Sequence, residues 1–422
     1  MLQDQALAID FGTSNTAAAL LQDGAIHRLA VEDGQPTLPT AVFFPADEGP
    51  MKIGSAAITA LIDGEEGRFM RALKSVLGDP LLHERRLISG RRRSVAEIIT
   101  AFLQHIRQSA ERQTGQPFRR ALSGRPVQFH SADPAKDAQA EVDLRHCYHA
   151  AGFEEVSFLA EPEAAALAAA TPDAKGHIRL IVDIGGGTSD FTVVRQDAAR
   201  TAVLASHGLR LGGTDFDRVI SVKEVMPHLG LGSQLRREMG DGLLSVPTAP
   251  FIDLATWAKI PFLYTPATRR MAADMLRLSC APEQLGRFAQ VLDLELGHDI
   301  AFAVEAGKIS ATTGSDRPVI DLSCLADGLA LPVTASGIET ALSDHQAQIN
   351  QAVRDTLARA AVRPDDVAQV VLVGGSSLMS MIDREVRQIC PAANIACSDV
   401  FTAVVDGLAL ATGPSDKLVR AG

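Results

Sequence analysis

The sequence predicts a mixed α/β protein in which one structural pattern occurs twice, and two stretches of the chain support this prediction. In the stretch Arg179–Val194, an apolar run ends at Asp183, three glycines follow, and β-branched and aromatic residues then resume. The stretch Leu7–Leu21 has the same order: an apolar run, Asp10, a turn of glycine, threonine and serine, and a second apolar run. Such runs on either side of glycine indicate two buried strands joined by a tight turn.

The composition of both turns suits a phosphate group. Glycine lets the backbone curl so that successive N–H groups point at one anion, and an adjacent aspartate can orient the water ligands of a metal ion. A third apolar run, Val370–Val373, leads into Gly374 and Gly375. The central turn has neither the lysine of a Walker loop nor the spacing of a dinucleotide-binding loop. A single Gly-Gly-Gly turn is more often an ordinary hairpin turn without a binding role. The repetition of the strand–turn–strand pattern, however, predicts a duplicated fold that closes on one nucleotide.

Six stretches resemble, in the same order, motifs of the nucleotide-binding domain of the DnaK-type heat-shock protein 70 chaperones, within the actin and sugar-kinase superfamily. They are Ile9–Asn15, Ala72–Gly78, Ala160–Leu167, Asp183–Asp190, Leu211–Asp217 and Val373–Ser376. Each motif is weak alone, but together they extend over nearly the whole chain. The likeness is closest to the short, YegD-like members of the family.

The resemblance implies a two-lobed actin-like ATPase fold, with duplicated ribonuclease-H-like domains and an inserted subdomain in each lobe. Lobe I would span residues 1–178, with its insert at about 41–117. Lobe II would span residues 179–398, with an insert at about 219–317 that is longer than the family's usual one. Residues 399–422 would form a helix that returns to lobe I and a short tail, and we expect no peptide-binding domain.

The resemblance also implies a Mg-ATP site. Asp10 and Asp183 would orient the water ligands of Mg²⁺, while Lys74, Glu161 and Thr188 would position the attacking water. Glu305, Lys308 and Thr312, at helical spacing, would face ribose and adenine. The full set of implied nucleotide contacts is Gly12, Thr13, Ser14, Asn15, Gly185, Gly186, Gly187, Gly212, Gly213, Thr214, Glu305, Lys308, Thr312, Gly374, Gly375 and Ser376.

Simpler interpretations of several residues stay open. A lone lysine such as Lys74 is usually a surface residue, and Glu161 opens an alanine-rich helix whose dipole favours a carboxylate there. Glu305 and Lys308 have the spacing of a surface ion pair, which contributes little to stability.

Two positions depart from the family. Its two arginines that clasp adenine are replaced by Ile309 and Leu378, which predicts a weaker grip on the base. An aspartate common near the last helix is replaced by Phe401.

Local patterns predict further elements. Ser94 and Glu97 have the spacing of a capping box, and apolar residues from Val95 onwards follow a helical period. Arg125–Phe129 stands where the family connects its subdomains, and Trp257 is expected in a core. Arg85, Arg86 and Arg91 to Arg93 form a basic cluster, which we predict to be a solvated face near a loop.

Composition limits the function further. The chain has 422 residues, which suggests two or three domains, and a formal net charge of −11, which argues against a broad nucleic-acid surface. The 5 cysteines lack C-x-x-C spacing and indicate free thiols. No signal peptide or membrane-spanning run is recognisable, so we expect a cytoplasmic protein without a membrane partner.

These observations together predict a Mg-ATP-binding, slowly hydrolysing, chaperone-like ATPase that acts through an unidentified partner protein. Two alternatives stay open at this point. One is a small-molecule kinase of the same superfamily, and the other is a nucleotide-gated scaffold of the actin type.

Overall fold

The computed structural model describes residues 5–32, 34–47, 49–169, 176–196, 201–313, 315–397, 402–413 and 418–420. The chain forms two compact units. Unit 1 comprises residues 1–213 and 347–422, and unit 2 comprises residues 214–346. Helices and several sheets alternate along the chain, which confirms the mixed α/β prediction.

The strands, in chain order, are β1 (Ala6–Phe11), β2 (Asn15–Gln22), β3 (Ala25–Arg28), β4 (Thr37–Pro39), β5 (Ala41–Pro45), β6 (Lys52–Ile53), β7 (Gly67–Arg71), β8 (Arg86–Ile88), β9 (Arg91–Arg93), β10 (Arg120–Arg125), β11 (Glu155–Ala160), β12 (His177–Ile184), β13 (Ser189–Gln196), β14 (Thr201–Leu209), β15 (Gln234–Arg236), β16 (Leu243–Ser245), β17 (Val319–Asp321), β18 (Ala330–Pro332), β19 (Val367–Val373), β20 (Asn394–Cys397) and β21 (Leu418–Arg420).

The α-helices are α1 (Ser55–Ile62), α2 (Val95–Thr114), α3 (Pro134–Ala150), α4 (Glu161–Ala168), α5 (Gly213–Ile220), α6 (Ala249–Leu254), α7 (Pro266–Arg277), α8 (Pro282–Asp293), α9 (Gly297–Thr312), α10 (Ala335–Ala341), α11 (Ser343–Arg359), α12 (Ser380–Ile389) and α13 (Ala403–Ala411).

Unit 1 contains two six-stranded sheets with the same central pattern. The first sheet has the order β11-β10-β1-β2-β3, with β4 beside β2, and the second has the order β20-β19-β12-β13-β14-β21. In the first, β11, β10 and β1 are parallel while β2 and β3 are antiparallel neighbours. In the second, β20, β19 and β12 are parallel while β13 and β14 are antiparallel neighbours. Five strands of each sheet therefore share one order and one set of directions.

The core of unit 1 explains why the strand sequences are apolar. Leu7, Ala8 and Ile9 of β1 are fully buried, as are Leu180 to Val182 of β12, because helices or loops cover these strands. The alanine-rich helix α4 packs against α13, and a Cβ atom on Gly407 of α13 would clash with the carbonyl of Ala164. Small residues therefore allow the two helices to approach closely between the strands.

The predicted helix starts are confirmed where the structure describes them. The Ser94 side chain accepts from the backbone of Glu97, and the Glu97 carboxylate accepts from the backbone of Ser94, so the capping box that starts α2 is complete. Helix α4 begins at Glu161 with proline in its first turn, where a missing N–H costs nothing. Phe401 lies outside the described residues.

Unit 2 is mainly helical, with two short hairpins, β15-β16 and β17-β18. Trp257 is buried at 2% exposure, as expected of a core residue. In unit 1, strands β8 and β9 form a hairpin that carries the basic cluster, in which Arg85 and Arg86 pair with exposed glutamates. The solvated-face interpretation of that cluster agrees with this arrangement.

The part of the chain that the structure describes contains no helix that is both long and apolar enough to cross a membrane. The described cysteine side chains are free thiols, at positions 147, 280, 324 and 390.

Candidate functional site

The first glycine turn joins β1 to β2 and holds Asp10 at its start. Asp10 pairs with Ala17 in the antiparallel ladder, and the turn runs from Gly12 to Ser14. A Cβ atom on Gly12 would clash with the carbonyl oxygen of Asn15, so only glycine allows the chain to turn this tightly. The turn therefore fixes the positions of Thr13 and Ser14.

The second glycine turn joins β12 to β13 in the same way. Asp183 lies opposite Asp190 in the ladder, and the N–H of Gly185 donates to the carbonyl of Thr188 over 3.0 Å. The strand–turn–strand arrangement predicted from both stretches is thus confirmed. Because the three glycines lack side chains, their backbone can approach other groups closely.

The two turns lie against each other. A Cβ atom on Gly186 would clash with Oγ of Ser14, and one on Gly187 would lie 2.8 Å from Oγ1 of Thr13. The backbone of Gly212 is equally close, since a Cβ there would lie 2.6 Å from the nitrogen of Gly187. Two turns far apart in sequence therefore meet at one place within unit 1.

Further predicted residues surround this meeting point. The N–H of Gly213 donates to the carbonyl of Gly185 over 2.9 Å, and a Cβ on Gly213 would lie 2.5 Å from Oγ of Ser376. Gly374 follows β19 with a φ of +81°, a conformation that favours glycine, and its Cβ would clash with the carbonyl of Ile184. The predicted positions Gly213, Gly374 and Ser376 therefore lie beside the second turn.

One lysine lies among the carboxylates of this region. Lys74, in the helical turn Leu73–Val76, donates from Nζ to Oε1 of Glu161 over 2.5 Å, and both side chains are largely buried. The simple surface interpretation of Lys74 is therefore wrong. Glu161 does start α4, so it complements the helix dipole in addition to pairing with the lysine.

The carboxylates nearby are held in an environment that disfavours their charge. Desolvation raises the pKa of Asp10 to about 7, with a further increase from the negative charge of Glu161 and an opposing effect of Lys74. Desolvation also raises the pKa of Asp183 well above its ordinary value, and the charges of Glu161 and Asp10 add to the effect. Desolvation likewise raises the pKa of Asp190, although its Oδ1 accepts a hydrogen bond from the N–H of Val127, which acts in the opposite direction. An added cation would relieve this repulsion.

A cleft in unit 1 opens beside the two turns. It is lined by Thr13, Lys74, Ser75, Pro126, Phe129, His130, Gly187, Thr188 and Arg210. Residues from both turns thus share one cleft with the buried lysine. Pro126 and Phe129 come from the segment after β10 that the resemblance predicts to connect two subdomains.

Two cleft residues were not anticipated from the sequence. Arg210 donates from Nη1 to the carbonyl of Gly187 over 2.5 Å, and His130 bonds through Nε2 to the carbonyl of Leu77 over 2.7 Å. Burial, followed by smaller effects that include the nearby charge of Arg210, holds the pKa of His130 below its ordinary value. The only hint in the sequence was the position of Arg210, which directly precedes the motif Leu211–Asp217.

In unit 2, helix α9 presents the other group of predicted residues. Lys308 is buried and donates from Nζ to Oδ1 of Asp217 over 2.6 Å, while Nε1 of Trp257 donates to the other oxygen of Asp217 over 3.1 Å. The hydroxyl of Thr312 donates to the carbonyl of Lys308 on its own helix. Contacts to ribose and adenine stay a prediction for this group.

Thr214 lies in the first turn of α5, on the side of the boundary that belongs to unit 2. Ile309 is half exposed on α9, at 50%. The side chain of Leu378 lies outside the described part of the chain.

The carboxylates fit a metal ion that keeps its water ligands. Within the described ranges, no group of three or more His, Cys, Asp or Glu side chains is arranged to hold a metal directly. Mg²⁺ releases its waters reluctantly and is usually bound through one or two carboxylates together with phosphates. Asp10 and Asp183 therefore match the chemistry of a hydrated Mg²⁺, and burial, with the added charge of Glu161, raises the pKa of both carboxyls.

A family comparison agrees with these features. The model of the Hsp70 protein family matches residues 6–226, which is more than half of the chain and includes both glycine turns, Lys74, Glu161 and Arg210. This chain belongs to the Hsp70 family.

Individual Hsp70 relatives match over a longer range. The chain is 24% identical over 415 residues to the chaperone protein DnaK of Cenarchaeum symbiosum, covering 96% of this chain and 54% of the chaperone. It is 24% identical over 391 residues to DnaK of Thermosipho melanesiensis and over 394 residues to DnaK of Metamycoplasma hominis, in both cases covering 92% of this chain and 55% of the chaperone. The chain thus spans about half the length of these DnaK chaperones. The closer likeness to short, YegD-like Hsp70 members stays a prediction.

Proposed function

We propose that this Hsp70-family chain binds ATP with Mg²⁺ in the cleft of unit 1 and hydrolyses it slowly. In this proposal it is a chaperone-like ATPase module of the cytoplasm that acts through a partner protein. One observation carries the proposal: Lys74 lines the same cleft as Thr13 of the first glycine turn and Gly187 and Thr188 of the second. Glycine turns supply N–H donors, and lysine supplies a charge, where a phosphate chain needs both.

The fold we infer is that of an actin-like ATPase with two lobes. Its support is the repeated order and direction of five strands in the two large sheets of unit 1. In each sheet the aspartate lies near the end of the strand at the same place in that order, β1 or β12, and the glycine turn follows that strand. The lobe boundary near residue 178 and the inserts at about 41–117 and 219–317 are part of this proposal.

The chemistry is the transfer of the terminal phosphoryl group to water. The oxygen of water forms the new bond to phosphorus, the bond to the bridging oxygen breaks, and ADP leaves with that oxygen. Such transfers depend on positioning and on charge stabilisation more than on covalent participation of the protein. A bound Mg²⁺ would supply charge neutralisation on the phosphates.

Specific residues would provide the positioning. The N–H groups around Gly185 to Gly187 and the hydroxyls of Thr13 and Ser14 would donate to phosphate oxygens. Lys74 would hold the terminal phosphate and the attacking water, with Glu161 fixing the direction of the ammonium group. Thr188, at the end of the second turn, would donate to that water or to the phosphate. Asp10 and Asp183 would accept from the water ligands of the cation.

For the nucleoside, the resemblance assigns Glu305, Lys308 and Thr312, all on α9 of unit 2. The ammonium group of Lys308 already donates to Asp217. In this proposal Asp217 holds the lysine in place, and the ribose hydroxyls take the remaining donor capacity of its ammonium group.

The test compares two lysines that make similar ion pairs. Lys74→Met should lower the rate of Mg-dependent ATP turnover by about 10²–10³-fold, which is typical when one donor to a developing charge is removed. Lys52→Met removes an exposed lysine that also pairs with a glutamate at 2.5 Å, and it should leave turnover unchanged. Equal turnover in both variants would overturn the proposed role of Lys74.

The same assay separates the two alternative functions. A small-molecule kinase would release little phosphate from ATP until its acceptor is added, whereas the proposed ATPase releases phosphate with water alone. A nucleotide-gated scaffold would sediment as a polymer in the presence of ATP. Measuring phosphate release and sedimentation on one preparation therefore distinguishes the three functions.

A further inference from the structure

The proposed hydrolysis needs an acceptor for the proton of the attacking water, and one residue of the cleft has the chemistry for it. Among the described residues that line the cleft, Lys74 and Arg210 are cations without a lone pair for a proton. The hydroxyl groups of the lining serine and threonines are very weak bases, and glycine, proline and phenylalanine have no basic side chain. The remaining lining residue is His130, whose imidazole accepts a proton in the physiological range of pH.

The carboxylates nearest to this cleft have other partners or other tasks. Oε1 of Glu161 accepts from the ammonium group of Lys74. In the proposed function, Asp10 and Asp183 accept from the water ligands of the cation. None of these three carboxylates is among the described residues that line the cleft, whereas His130 is.

The hydrogen bonds of His130 determine which ring nitrogen can accept a proton. Nε2 lies 2.7 Å from the carbonyl oxygen of Leu77. A carbonyl oxygen only accepts, so Nε2 carries the hydrogen and Nδ1 of the neutral ring carries the lone pair. The backbone N–H of His130 donates to Oδ1 of Asp137 over 3.1 Å. Both the ring and the main chain of His130 are therefore held, with Nδ1 as the accepting atom.

The surroundings of His130 favour its uncharged form. Burial lowers its pKa below the ordinary value of 6.5, and the bond of its ring to a backbone carbonyl acts in the opposite direction. The charges of Lys136 and Arg210 lower this pKa further, while that of Asp137 raises it. Asp79, which pairs with Lys136, also interacts electrostatically with His130. At neutral pH the ring is therefore uncharged and able to take up a proton.

We propose that His130 is the general base of the hydrolysis and takes the proton of the attacking water on Nδ1. This inference rests on the proposed function, because it adds a catalytic residue to the same reaction. The water oxygen forms its bond to the terminal phosphorus while its proton moves to Nδ1. The bond from phosphorus to the bridging oxygen breaks, and its electron pair leaves with ADP. The imidazolium then releases the proton to solvent, which restores the neutral ring.

The experiment measures the rate constant for hydrolysis of bound ATP in a single turnover, at saturating Mg²⁺ and from about pH 5 to about pH 8. The proteins are wild type, His130→Gln and His149→Gln. The amide nitrogen of glutamine can still donate to the carbonyl of Leu77, but a glutamine side chain takes up no proton. His149 is an exposed residue of α3 whose Nδ1 bonds to the carbonyl of Phe153 over 2.9 Å, so it provides a matched control.

The inference predicts a difference that depends on pH. At about pH 8, His130→Gln should hydrolyse bound ATP about 10²-fold more slowly than wild type, as is typical when a general base is lost. Its affinity for ATP should change by less than about threefold, because the lost interaction belongs to the transition state. As the pH falls, the wild-type ring becomes protonated and the two rates should converge. Titration of the carboxylates affects both proteins alike and cancels in the ratio, and His149→Gln should follow wild type throughout.

Several results would overturn the inference. A ratio of the two rates that is the same at every pH would show that His130 only positions other groups. Equal rates at about pH 8 would assign the proton to a phosphate oxygen of ATP instead. Wild type alone gives a second test, since a rate that stays constant from about pH 5 to about pH 8 is incompatible with a histidine base. If wild type hydrolyses no bound ATP at all, the proposed function itself fails, and that result differs from equal rates in proteins that do hydrolyse it.

Discussion

The ammonium group of Lys74 lies 2.5 Å from Oε1 of Glu161, and only 6% and 12% of these two side chains are exposed. The two residues are 87 positions apart in the chain, so the contact depends on the tertiary fold of unit 1. The pair joins the turn at Leu73–Val76 to the first residue of α4. It places the ammonium group of Lys74 near Asp10 and Asp183. This positive charge lowers the pKa of both carboxyls and so opposes the larger effect of burial.

We predict that the buried pair is costly to break from one side. Lys74→Met should lower the free energy of unfolding by about 3 kcal/mol, because it leaves the Glu161 carboxylate buried without a cation. Lys52→Met, which breaks an exposed pair of similar length, should cost less than about 1 kcal/mol. Urea denaturation of the ligand-free proteins measures both changes. Equal costs for the two variants would show that burial of the Lys74 pair has no energetic consequence.

A second prediction concerns pH. In the folded protein the pKa of Asp10 is raised to about 7, whereas in the unfolded chain it has its ordinary value of 3.8. The folded state therefore retains a proton that the unfolded chain has released, and stability falls as the pH rises between these two values. Asp10→Asn remains neutral throughout, so it should raise the Tm of the ligand-free protein by about 2 °C or more at about pH 8, and by less at about pH 5.

Asp79 provides a control of opposite sign for this pH experiment. Its hydrogen bond and ion pair with Lys136 lower its pKa, so its contribution to stability is present above its ordinary pKa and is lost as the pH falls through the folded value. Asp79→Asn should therefore lower Tm at about pH 8. A drop in Tm at about pH 8 for Asp10→Asn as well would contradict the raised pKa of Asp10.

A third prediction concerns the contact between the glycine turns. In Gly212→Ala the added methyl group would lie 2.6 Å from the backbone nitrogen of Gly187 and 2.7 Å from the carbonyl carbon of Gly186, and neither backbone group can rotate away. We expect a loss of stability of about 2–4 kcal/mol and weaker nucleotide binding. The control is Gly286→Ala in helix α8, where nothing lies within 4 Å of the added methyl group.

Thermal unfolding and ATP titration of the two glycine variants decide the matter. Gly286→Ala should unfold at the wild-type temperature or slightly above it, since alanine favours a helix over glycine by about 0.5–1 kcal/mol. If Gly212→Ala behaves in the same way, the second turn is not as close to Gly212 as the structure shows.

A fourth prediction concerns the base. We predict from the resemblance that Ile309 takes the place of an arginine against adenine, and an aliphatic side chain provides no cation–π interaction. Ile309→Arg should tighten ATP binding by about 2–30-fold, which corresponds to about 0.5–2 kcal/mol for one such contact. The control Leu294→Arg places an arginine at another exposed apolar position of unit 2. Calorimetry that shows equal ATP affinity for both variants would place the adenine away from residue 309.

Local elements of this fold could be predicted because their signals lie close together in the sequence. The two strand–turn–strand units, the capping box of Ser94 and Glu97, and the helix that starts at Glu161 all depend on residues within a few positions of one another. The repetition of Asp10 and Asp183 before glycine turns also predicted that one pattern occurs twice.

Other features could not be predicted because they depend on distant parts of the chain. The bond between Lys308 and Asp217 spans 91 positions, and no periodic pattern connects the two residues. Arg210 enters the cleft because β14 directs the chain towards the second turn, which a residue count does not reveal. Spacing alone likewise gave no indication that burial would raise the pKa of Asp190.

We propose that Asp10 and Asp183, one before each glycine turn, hold hydrated Mg²⁺ for ATP hydrolysis. The most direct measurement is ATP turnover as a function of Mg²⁺ concentration in wild type, Asp10→Asn and Asp183→Asn. Asp383→Asn, which removes an exposed carboxylate paired with Arg387, serves as the control. We predict that wild type hydrolyses ATP slowly and only with Mg²⁺, and that the control has the same turnover. In Asp10→Asn and Asp183→Asn turnover should be lower by about one to three orders of magnitude, where each tenfold corresponds to about 1.4 kcal/mol of activation free energy. Turnover that is unchanged in both Asp10→Asn and Asp183→Asn would contradict this role of the two aspartates.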